Sequence, residues 1–217
     1  MNRHINLFFH FINASIIILS FLLSLWRLKS GIKDNRIKIA VVFPFIGFGL
    51  LVLFYFTVYN LIDPIFFHFF DRYSVVFYYL FFVFFIYKST NELKYKYLFF
   101  FISIFQVVLI IWVLYYDNNK IPFVPFAVAN FCILVLSCFY YFNELFKDEY
   151  TCWRNNSAFI IISGNSISSI LMIPTSVFVY YFYLSPSINF YNIIYSIMGL
   201  SMFVQYLSFS IAIYVQP

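Results

Sequence analysis

Between Tyr97 and Tyr214 the chain is four apolar stretches of about 20 to 28 residues with only short polar breaks between them, and three more such stretches lie upstream. A helix rising about 1.5 Å per residue needs about 20 mostly apolar residues to cross a hydrocarbon core about 30 Å thick. Lipid offers no hydrogen-bond partners, so each crossing segment must satisfy its own backbone. The pattern therefore predicts an all-α fold: a polytopic membrane bundle of seven transmembrane helices, forming one domain over residues 1–217. The spans are expected at about residues 5–26, 38–59, 64–87, 97–116, 123–146, 157–184 and 190–214.

With 64% hydrophobic and 10% charged residues, the sequence leaves no room for a separate aqueous domain. A net charge of +5 is too small to point to nucleic acid, and its placement says more than its sum. Arg3 ahead of the run Ile5–Trp26 has a signal-peptide flavour, but the run is long and ends at Arg27 rather than at small residues, so it is expected to be kept as the first span. Cys132, Cys138 and Cys152 include no close metal-type pair, and free thiols are expected.

Basic residues in short loops stay on the cytoplasmic side. The first loop region carries Arg27, Lys29, Lys33, Arg36 and Lys38; the third carries Lys88, Lys94 and Lys96; the fifth carries Lys147 and Arg154. Only Arg3, Arg72 and Lys120 of the 13 basic residues fall on the other side. This predicts an outward N-terminus and a cytoplasmic C-terminus. It also makes Lys29, Lys33, Arg36, Lys94, Lys96, Lys147 and Arg154 the candidate surface for docking a partner.

Polar residues inside the spans narrow the candidate interior. Asn6, His10, Asn13, Ser20 and Ser24 share one stripe of span one. Span six contains Gly164 and Ser168 as a small-xxx-small pair, with Asn165 between them and Pro174, Thr175 and Ser176 beyond. Span seven adds Ser201, Gln205, Ser208 and Ala212. Spans one, six and seven are thus expected to form a polar inner wall. Packing explains such faces, and so does a ligand cavity with His10 at its outer mouth.

On span three, His68, Asp71 and Arg72 are spaced so that His68 can reach both of the others. Asp63-Pro64 starts that helix, with proline in the first turn. A charge at the centre of a span costs about 2.5 to 3.5 kcal/mol on insertion scales, so this group implies either a wet cavity or an interfacial pair. His10, Asn13, His68, Asp71, Arg72, Asn165 and Gln205 are the candidate ligand-binding residues. His68 and Asp71 lack a third metal ligand unless His10 supplies it, so no metal is expected.

No HExxH pair, GxSxG elbow or run of intramembrane carboxylates is present, so neither catalysis nor a cofactor is expected. Span seven contains no lysine, which excludes a retinal Schiff base. Asn155-Asn156-Ser157 matches a glycosylation sequon, but it falls on the predicted cytoplasmic side, and a serine or asparagine there is expected to cap span six.

Tyr140, Tyr141, Leu145 and Lys147 at the end of span five, followed by Ser163 and Gly164 in span six, give a pattern similar to that of uncharacterised bacterial seven-helix membrane proteins of about 220 residues, often encoded beside sensor histidine kinases. The likeness covers Tyr140–Tyr183 and extends through Asn189–Ile213, with Phe159 standing where those proteins carry tryptophan. The resemblance implies the same topology, a bacterial cytoplasmic (inner) membrane location and a histidine kinase as a candidate partner. It brings no activity, cofactor or catalytic residue. The reading is a non-enzymatic sensor or accessory component of membrane signalling. The alternative is a small transporter or channel subunit, with a stress or defence operon as a variant.

Overall fold

The computed structural model describes residues 2–32, 35–90, 93–116, 124–145, 156–183 and 188–215; of 2–9, 35, 64–72, 93–95, 116, 180–183, 188–192 and 195 it describes the backbone only. The elements are all helical: α1 (Asn2–Ser30), α2 (Asn35–Ala40), α3 (Val42–Val58), α4 (Pro64–Ser89), α5 (Leu93–Tyr116), α6 (Val124–Leu145), α7 (Ser157–Tyr183) and α8 (Ile188–Val215). No strand occurs among the described residues. The Val41 amide bonds to the Ile37 carbonyl at 2.9 Å, which joins α2 and α3 into one rod across a single turn residue.

Each of the seven expected segments matches one rod, with ends displaced by at most four residues. Six rods are long and apolar enough to cross a membrane. The fully described part of α4, Tyr73–Ser89, is apolar but shorter, within a helix of 26 residues. The chain is thus a multi-pass helical protein whose apolar rods suit contact with a lipid bilayer. Leu22, Trp26, Phe101, Phe105 and Trp112 are among its many exposed large apolar side chains.

Local chemistry sets the helix ends. Gly31, at φ 85, ends α1 in the left-handed region that glycine enters without strain. Asn60, at φ 56, ends α3: its amide bonds to Thr57 O at 3.0 Å and that of Leu61 to Phe56 O at 2.8 Å, the paired bonds of a Schellman cap. α4 begins at Pro64, as expected. Asn156 caps α7, its side-chain oxygen accepting from the amides of Ala158 at 3.1 Å and Phe159 at 3.4 Å.

Five helices form a wall around the interior, in the order α3, α4, α6, α7 and α8. The wall closes where Phe43 of α3 stacks on Phe209 of α8, with ring centroids 4.8 Å apart. Outside it, α1 lies against α3 and α8, and α5 lies against α4 and α6. α2 packs on α3, α4 and α8 at one end, where Ile37, Val41 and Ile213 form a small buried cluster.

The tightest joint is α7 with α8. Gly164 faces Ser208 so closely that a β-carbon at 164 would overlap the Ser208 side chain, and one turn on the Ser168 and Ser201 hydroxyls pair at 2.8 Å. Small residues bring the two backbones together, and hydroxyls then find partners across the joint. At the α1–α8 joint, Ser20 Oγ lies 2.7 Å from Ser210 Oγ and 3.1 Å from the Tyr206 carbonyl. The hydroxyls of Thr175 and Ser166 bond back to carbonyls of their own helix, Thr175 close after Pro174.

Candidate functional site

The wall lines a half-open cavity of about 150 Å³. Phe43, Ile46 and Leu50 face it from α3; Ser74, Val75 and Tyr78 from α4; Ala129, Asn130 and Ile133 from α6. α7 supplies Ser168 and Met172, and α8 supplies Met202, Gln205, Tyr206 and Phe209. Among the described residues, no charged side chain is in the lining. A site of this make-up suits an uncharged, largely apolar molecule with few polar contacts.

Aromatic rings close the cavity toward α2. Phe43 stacks on Phe209 and meets Tyr78 edge-on at 5.3 Å and Phe81 at 5.9 Å. Behind this floor lies the Ile37, Val41 and Ile213 cluster.

One wall carries a polar chain linking three helices. Asn165 of α7 donates from Nδ2 to the Ile161 carbonyl at 2.8 Å. Its Oδ1 accepts from the Tyr78 hydroxyl of α4 and from Gln205 Nε2 of α8, the latter at 3.0 Å. Asn130 of α6 donates to the Phe126 carbonyl at 2.8 Å and accepts from Ser169 Oγ at 3.0 Å. Each bond inside an apolar bundle fixes a side chain that would otherwise be costly to bury.

Of the sequence-derived ligand candidates, Gln205 lines the cavity and Asn165 stands directly behind it. His10 does not line it; its ring packs against Phe54 at 5.3 Å and Tyr55 at 5.8 Å near the far end of α3. Asn13 is not in the lining either, and its Oδ1 is buried without a hydrogen-bond partner. The side chains of His68, Asp71 and Arg72 lie outside the described residues. The backbone of α4 puts positions 68 and 71 on the same helical stripe as Val75 and Tyr78.

Among the docking candidates, Lys29 is exposed at the end of α1, while Arg36 of α2 is half-buried within electrostatic range of Tyr140. Half-buried Lys96 lies over the Tyr87 ring at 5.5 Å. These residues and Lys88 fall at the end of the bundle that α2 covers. Lys33, Lys147, Arg154 and the side chain of Lys94 lie outside the described residues. Cys132 is buried and Cys138 exposed, both as free thiols; Cys152 lies outside the described residues.

The residues behind the family-like pattern form a packing unit. Tyr141 donates to Ser163 Oγ at 3.0 Å and meets Phe159 edge-on at 5.5 Å, tying α6 to the first turns of α7. Sequence reasoning missed Tyr78, Asn130 and Tyr206 as cavity residues. Asn130 left a readable signal, an isolated amide in the middle of a span. The two tyrosines are hidden among 20. Among the described residues, no cluster of His, Cys, Asp or Glu could hold a metal ion. Comparison with family models, curated proteins and solved structures finds no significant match.

Proposed function

We propose that the chain is a non-enzymatic multi-pass protein of the bacterial cytoplasmic membrane, with its N-terminus outside, that acts as a sensor or accessory component of membrane signalling. The central cavity is the receiving site, and the basic end of the bundle is the relay. The observation that carries this reading is the contact of Phe43 with Phe209, because both rings face the cavity and both stand on the helices that pack against α2. A molecule that shifts these rings acts on α2 through the core they share with Ala40, and α2 itself carries Arg36 and Lys38 of the basic group. The similarity of Tyr140–Tyr183 to proteins encoded beside sensor histidine kinases supports such a kinase as the partner.

A wall of five helices around a cavity also favours a second reading, a small transporter or channel subunit. The aromatic floor speaks against it, since it blocks the interior toward α2. A photo-crosslinker replacing Lys29 or Lys96, used in the native host, is expected to capture a membrane histidine kinase. The purified protein in liposomes is expected to pass neither ions nor small solutes. Flux through the protein alone would overturn the signalling reading.

A further inference from the structure

The polar chain beside the cavity has a direction, and that direction selects a ligand. The Ile161 carbonyl can only accept, so the Asn165 amide must turn its NH2 toward it. Asn165 Oδ1 then faces the other way and must receive protons. The Tyr78 hydroxyl supplies one and Gln205 supplies the other from Nε2. A side-chain amide that could have been placed either way round is thus oriented by a backbone carbonyl two bonds away. Gln205 is left with Oε1, an acceptor with no partner among the described residues, on a side chain that lines the cavity.

We infer that the cavity takes a small uncharged molecule with an apolar body and one O–H or N–H donor, and that the donor bonds to Gln205 Oε1. Three observations converge on this class. Among the described residues the lining holds no charged side chain, so an ion would find no counter-charge among them. The volume of about 150 Å³ matches the space that holds a single benzene-sized ring in an engineered apolar cavity, so the body is about one ring or a short branched chain. The one unpartnered oxygen of the chain accepts, so a ligand without a donor leaves it unsatisfied. The inference rests on the cavity being the receiving site and deepens that reading by naming what it receives.

Phenol and toluene test it, since they differ only in a hydroxyl in place of a methyl group and both are uncharged at neutral pH. Binding to the full chain in lipid nanodiscs is measured by ligand-observed NMR and corrected for partitioning into empty nanodiscs. Phenol is expected to bind at least about tenfold more tightly than toluene, because only phenol can donate to Gln205 Oε1, which bound toluene would cover and leave unpaired. The preference is expected to fall to within about twofold in Gln205→Leu and Gln205→Met, two variants that keep the volume and drop the acceptor. Size-exclusion profiles and melting temperatures show which of the two remains folded. Equal binding of the two probes that is lost in Ala129→Leu, a variant that fills the cavity, overturns the donor assignment and leaves the cavity as the site. Binding unaffected by Ala129→Leu overturns both.

Discussion

Tyr206 lies against the bare α-carbon of Gly47, and this contact sets how closely α8 can approach α3. A β-carbon at 47 would overlap the phenol ring, which itself lines the cavity.

Gly47→Ala therefore has two expected effects. The ring must move, and overpacking of this kind costs about 1–3 kcal/mol, read as a lower melting temperature. The space open to it is the cavity, so binding of small apolar probes should weaken as well. Unchanged probe binding in a folded Gly47→Ala protein would show that the ring moves elsewhere.

Gly164 presents the same geometry toward Ser208 on the most extensive helix joint. Gly164→Ala is expected to destabilise the fold by about 1–3 kcal/mol. Pairing it with Ser208→Gly should recover much of that loss, because the overlapping atoms are gone. A double-mutant cycle by thermal denaturation reads the coupling, and additive effects would contradict the contact.

Tyr79 of α4 is fully buried, and its hydroxyl donates to Gln106 Oε1 of α5. Gln106→Leu removes that acceptor and should cost about 1–3 kcal/mol, with faster amide exchange concentrated in α5. Tyr79→Phe in the same chain should restore part of the stability, since both partners are then apolar.

The proposed orientation puts Lys29 in the cytoplasm and Leu61, beyond the end of α3, outside; both are exposed. In a cysteine-free background, a membrane-impermeant maleimide added to spheroplasts should label Leu61→Cys and spare Lys29→Cys. The opposite pattern would invert the topology and the assignment of the basic end.

The seven rods were readable because hydrocarbon thickness dictates segment length, and punctuation such as Pro64, Gly31 and Asn156 marked where they start and stop. The hydroxyl-rich faces of spans one, six and seven were readable too, and the structure packs Ser20, Ser168 and Ser201 at the joints. Two features were not. Span two was expected from residue 38, with the residues before it in a loop, yet α2 starts at Asn35. Burial of Ile37, Val41 and Ile213 against one another decides that, and partners on distant helices leave no local trace. The cavity was hidden because its polar wall needs Tyr78, Asn165 and Gln205 from three helices, and sequence spacing orders residues only within one. Hence His10 entered the candidate site from a polar stripe, although its ring lodges among the aromatics of α3.

Helix α5 touches α4 and α6, stands outside the wall and, among its described residues, contributes no side chain to the cavity. What it supplies is parity. α4 and α6 are neighbours that run in the same direction, and such neighbours cannot be joined by a hairpin; the chain must first travel back to the end from which α4 began. A deletion that spared every cavity residue but removed α5 would turn α6, α7 and α8 upside down relative to α3 and α4. In this architecture a helix outside the wall decides whether the helices that line the cavity can meet at all.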